Sequence, residues 1–139
     1  MKIRNIFSVI AGIFLFTSAA LAGGKNADQL AVDAVSSDST ASTAAVRELR
    51  AMGPRGLDAL FTRYGKEIES FKNTADATDD WKRIATAVDT VGMQKDNYAA
   101  HLYWYTDLDA AKRAAKAEHK PILSLRLLGN LNEEFSCAN

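Results

Sequence analysis

Apolar residues change their spacing several times along the chain, and each change predicts an element. From Ile6 to Phe16 they form a nearly unbroken run, and from Gly23 to Thr43 they thin out among Gly, Ser, Thr, Asp and Ala. Val46, Leu49 and Met52 then recur at helical spacing, with Arg47, Glu48 and Arg50 expected to face out. Gly53-Pro54 predicts the end of this helix and the start of another, because glycine takes the left-handed closing conformation and proline suits a first turn. In the second helix Leu57, Leu60, Phe61, Tyr64, Ile68 and Phe71 keep to one stripe, so the two helices are expected to form an antiparallel hairpin. A third helix is predicted to open at Asp79 or Asp80, whose carboxylate caps free N–H groups. It carries Trp81, Ile84, Ala85, Val88 and Val91 inward before Gly92. Residues 44–100 thus read as a small helical module.

Beyond Gly92 the pattern changes again. Tyr98, Leu102, Tyr103, Trp104 and Tyr105 concentrate aromatic area. They read either as a ligand-stacking platform or as a short strand or turn packed on the next helix, and the large area each ring buries favours packing. Thr106 reads as the N-cap of a helix to about Glu118, with Asp107 and Asp109 near its positive end. Ala110, Ala111, Ala114 and Ala115 would let that helix approach a sheet closely. Pro121 marks a boundary, and Ile122 to Leu128 is an apolar run of strand length. The predicted order is strand, helix, strand.

The first apolar run has a different meaning. Lys2 and Arg4 precede it and Ala20-Leu21-Ala22 follows it, the pattern of a secretory signal peptide cleaved after Ala22. The chain is therefore expected in the periplasm or secreted, with the leader as its only membrane contact. An uncleaved anchor is the alternative, since Ile6 to Ala22 approaches the roughly 17 residues a spanning helix needs. Residues 23–43, with Ser36-Ser37-Asp38-Ser39-Thr40 at their centre, read as a flexible linker.

Composition excludes several functions. The 139 residues carry 17 basic and 17 acidic side chains. Loss of Lys2 and Arg4 with the leader leaves 15 basic groups against 17 acidic, with no basic stripe for nucleic acid. A hydrophobic content of 47% excludes a disordered chain, and a single cysteine excludes a disulfide scaffold and a multi-cysteine zinc module.

Two stretches resemble known families. Val46 to Leu60, V-R-E-L-R-A-M-G-P-R-G-L-D-A-L, resembles one unit of the HEAT-like helical repeats, in which a Gly/Pro turn joins two amphipathic helices. One copy is visible, where a solenoid needs about three. Trp104 to Leu125, W-Y-T-D-L-D-A-A-K-R-A-A-K-A-E-H-K-P-I-L-S-L, resembles the opening of exported thioredoxin-like domains, with a tryptophan, a D-x-x-x-A-x-x-x-A helix and a Lys-Pro pair before the central strand. The resemblance implies a mainly α chain: a helical bundle followed by an incomplete α/β, thioredoxin-like β-α-β segment over residues 101–139. Thioredoxins that exchange disulfides follow the central strand with Cys-x-x-Cys at a helix N-terminus. Here Cys137 is the only cysteine, lies later than that position, and follows Glu133 and Glu134, which disfavour a thiolate. A second cysteine at that spacing would fall one position past Asn139, so the sequence is expected to continue.

The remaining chemistry is sparse. His101, His119 and Cys137 are 18 residues apart in turn, a spacing that matches no zinc-ligand pair, and no metal or cofactor is expected. Cys137 with His101 would make a nucleophile and base, but an unpaired structural cysteine is the commoner case. Asp79-Asp80 and Glu133-Glu134 read as caps and solvated charge. Gly23-Gly24 and Gly53-Pro54-Arg55-Gly56 make no phosphate loop. Two functions follow: a thioredoxin-like protein with Cys137 as its redox thiol, or a non-enzymatic module presenting the bundle to a protein partner.

Overall fold

The computed structural model describes residues 26–125, which form six helices and no strand among the described residues. They are α1 (Ala27–Ala34), α2 (Ser39–Ala51), α3 (Pro54–Thr74), α4 (Asp79–Gly92), α5 (Asn97–Ala100) and α6 (Leu108–Glu118). The fold is mainly α, and α1 to α4 share one core.

Residues 26–43 correct the linker expectation. Asn26 caps α1 by accepting from Gln29 N at 2.7 Å, and Asp38 caps α2 by accepting from Thr40 N and Ala41 N. Polar residues that looked like solvated linker are thus helix starts, where their short side chains satisfy free N–H groups. Leu30, Ala31 and Ala34 are buried, and Ser42 Oγ donates to Ala34 O at 2.7 Å. The small alanines let α1 lie close to its neighbours, and that burial comes from α2 and α3, not from α1's own sequence.

The expected hairpin is present. Gly53, at φ +69°, separates α2 from α3, and Pro54 occupies the first turn of α3. Leu49, Leu57, Leu60 and Ile68 enter the core from these two helices, with Ile84, Val88 and Val91 from α4. α3 bends at Tyr64 (φ −115°, ψ 19°), whose hydroxyl donates to Ala31 O at 3.4 Å. Phe71 stacks on Trp81 at 3.8 Å, and Tyr98 meets both rings edge-on. This aromatic trio closes one end of the bundle.

Two caps differ from expectation by a residue or two. Thr78 caps α4, accepting from Trp81 N at 3.1 Å, while Asp79 and Asp80 lie in the first turn paired with Lys82 and Arg83. Asp107 caps α6 in place of Thr106, because its carboxylate reaches both Asp109 N and Ala110 N. Those two bonds hold the Asp107 carboxyl below its ordinary range. The strands before and after α6 are absent among the described residues: Asn97–Ala100 is a helical turn, and residues 101–105 and 121–125 join no ladder. The last part of the Ile122–Leu128 run lies outside the described residues.

Candidate functional site

Residues 93–105 form a strap that returns across the bundle, and four side chains hold it. Asp89, late in α4, accepts from Asp96 N at 3.0 Å and Asn97 N at 2.8 Å. Half-burial raises the Asp89 carboxyl above its ordinary value despite these two N–H groups. Asn97 is the one fully buried polar residue of the core among the described residues. Its Oδ1 accepts from Leu102 N at 2.9 Å and its Nδ2 donates to Val88 O at 3.4 Å. Gly92 makes room for it: a Cβ there would stand 1.8 Å from Asn97 Nδ2.

Arg50 is the third fastening, and it corrects the expectation that this residue faces out. Its guanidinium donates to Val91 O at 2.8 Å and to Trp104 O, and lies 4.1 Å above the Tyr103 ring. Tyr103 returns a bond, its hydroxyl donating to Arg50 O at 2.9 Å. Desolvation lowers the Arg50 pKa, yet a guanidinium stays charged at neutral pH. Burial also raises the Tyr103 phenol, which keeps it a donor. The fourth fastening is His101, whose ring stacks on Phe61 at 3.7 Å with Nε2 3.2 Å from Asp58 Oδ1.

The strap divides its aromatic residues between two environments. Tyr98 and Tyr103 pack against the core, as the burial argument expected. Trp104 is half-buried, its Nε1 donating to Gln94 Oε1 at 2.7 Å, and Leu102 and Tyr105 remain exposed. The exposed edge of the strap, one face of α6 and residues 121–125 enclose a cleft of about 890 Å³. Leu102, Leu108, Ile122, Leu123 and Leu125 line it with between 43% and 74% of their surface in solvent. No residue of α6 is fully buried, and Ala111, Ala114 and Ala115 face the cleft. Thr106 and Ser124 also line the cleft, as do Glu118 and Lys120, whose Nζ meets Glu118 Oε2 at 2.7 Å.

The structure does not gather the sequence candidates into one centre. His101 sits against α3, and His119 is the exposed left-handed C-cap of α6 at φ 53°. Cys137, Glu133, Glu134, Gly23-Gly24 and the leader lie outside the described residues. Among the described residues no group of three or more His, Cys, Asp or Glu side chains is arranged to hold a metal ion, and no helix is long and apolar enough to cross a membrane. Arg50, Asn97 and Asp89 escaped sequence reasoning because their partners are 5 to 54 residues away, across element boundaries. The hint for Asn97 was weak: a polar side chain beside a glycine-ended helix and an aromatic run.

Comparison with protein-family models, with curated proteins and with solved structures gives no match to this chain.

Proposed function

We propose that the chain is exported, its leader removed after Ala22, and that it works outside the cytosol as a non-enzymatic module whose cleft takes a segment of polypeptide. One observation supports this reading above others: five large aliphatic side chains stand between 43% and 74% in solvent around a single cleft beside a well-packed bundle. Apolar surface concentrated in this way marks an interaction site. Polypeptide is favoured as the occupant because none of the main-chain groups of residues 122–125 has a backbone partner among the described residues. Such groups accept an added chain, while alternate side chains enter the cleft. Covering the exposed halves of five aliphatic residues contributes on the order of 5 kcal/mol, from about 1.5–3 kcal/mol for a complete side chain. The cost of association offsets much of that gain, so a short peptide is expected to bind weakly.

The test uses a terminally blocked peptide of alternating leucine and threonine with lysine at each end. The chain has two tryptophans, so two indole N–H resonances report separately on Trp104 at the cleft and on buried Trp81. Saturable movement of the Trp104 signal alone, abolished by Leu123→Asp with the melting curve unchanged, is the expected result. An unaffected titration in Leu123→Asp, or self-association that fills the cleft before peptide is added, overturns the reading.

A second reading is favoured by α6. A capped helix with a small-residue face lining the same cleft as residues 121–125 is what the opening of a thioredoxin-like layer requires. On that reading residues 101–139 begin an α/β unit, further polypeptide of the same protein fills the cleft, and Cys137 is a redox thiol. Alkylation of Cys137 by iodoacetamide faster than that of free cysteine supports it, and an ordinary rate removes the redox role.

A further inference from the structure

We infer that Arg50 is a positioning residue for the cleft, holding the Tyr103-Trp104 wall in place from inside the bundle. The inference rests on the polypeptide-binding reading for its functional meaning, but its geometry stands apart from it. One guanidinium joins three elements: it belongs to α2, donates to Val91 O at the end of α4, and donates to Trp104 O in the strap. Both carbonyls are acceptors that a planar fork reaches at once and a lysine ammonium, a single point of charge, does not. The Tyr103 ring lies against the same cation at 4.1 Å, and its hydroxyl closes the circuit on Arg50 O. Trp104 is bound again through its own N–H, which donates to Gly92 O at 3.0 Å. Tyr103 and Trp104 both line the cleft, whereas Arg50 does not. Arg50 therefore acts on an occupant only through them.

The bundle has little need of this cation. Its core is the set of buried aliphatic and aromatic side chains of α1 to α4, and Arg50 remains half-exposed beside it. Loss of the guanidinium is expected to loosen the Tyr103-Trp104 part of the strap while the four helices keep their packing. That separates a positioning role from a general structural one.

The experiment compares the full chain with Arg50→Lys and Arg50→Ala by helical circular dichroism, amide exchange at Trp104 and titration with the leucine-threonine peptide. Expected are unchanged helicity and an unmoved Trp81 indole signal in both variants. Exchange at the Trp104 amide rises roughly tenfold or more, the scale of a lost charge-assisted hydrogen bond. Methylguanidinium is expected to restore the Trp104 signal in Arg50→Ala, while ammonium does not. Parent-like Trp104 exchange in Arg50→Lys overturns the inference, and so does rescue by ammonium as effective as rescue by methylguanidinium. If Arg50→Ala loses its helices, the cation is structural and the inference also fails. Failure of the parent chain to bind the peptide would overturn the polypeptide-binding reading alone, because the exchange and rescue measurements need no peptide.

Discussion

Replacing Gly92 by alanine sets helix propensity against packing, and the structure decides which wins. Gly92 is the last residue of α4, and alanine in place of glycine stabilises a helix by up to about 1 kcal/mol. A Cβ at this position, however, would stand 1.8 Å from Asn97 Nδ2, 2.8 Å from Asn97 Cγ and 3.0 Å from Leu102 O. Asn97 is fully buried, so it has no solvent-side space into which to swing. Overpacking of this kind costs about 1–3 kcal/mol. If Asn97 moves aside, Leu102 N loses its 2.9 Å acceptor, at about 1–3 kcal/mol more. The net expectation is a loss of about 2 kcal/mol, or about 10 °C in melting temperature for a domain of this size. Urea unfolding of the parent, Gly92→Ala, Asn97→Ala and the double variant measures it. In the Asn97→Ala background the two closest atoms are gone, so the alanine penalty should shrink by about 1–2 kcal/mol. A Gly92→Ala midpoint at or above the parent's, or an equal loss in both backgrounds, would refute the reasoning.

Two further outcomes follow from burial. Leu60→Asp introduces a carboxylate at a fully buried core position and is expected to cost more than about 4 kcal/mol, abolishing helical dichroism and peptide binding together. Leu123→Asp at the exposed cleft wall, by contrast, separates the two. Asp89 gives the fold a pH dependence of known sign. Because burial raises its folded pKa above the ordinary 3.8, its contribution is fully present below 3.8 and is lost as pH rises through the folded value. Urea midpoints from below 3.8 to neutrality should therefore fall in the parent relative to Asp89→Asn, and parallel curves would contradict the assignment.

The bundle was legible in the sequence because a helix writes its buried face into its spacing. Val46, Leu49 and Met52, the Gly53-Pro54 break, and Leu57 through Phe71 predicted α2, α3 and their turn, and Trp81 through Val91 predicted α4. α6 was legible from its alanines and nearby acids. α1 was not, since Leu30, Ala31 and Ala34 make too short a stripe to outweigh the polar residues on either side, two of which are caps. The strands expected around α6 rested on apolar runs, which do not distinguish a paired strand from an unpaired segment.

Sequence alone determined the Gly53-Pro54 break between α2 and α3 and the courses of α3, α4 and α6, because glycines, prolines and the helical period act over a few neighbouring residues. Tertiary structure alone decided that Arg50 turns inward, that Asn97 is buried, and that the aromatic strap shows one edge to the core and the other to an apolar cleft. Those outcomes depend on carbonyls and rings up to 54 residues away, and a local pattern carries no record of which distant groups will arrive beside it.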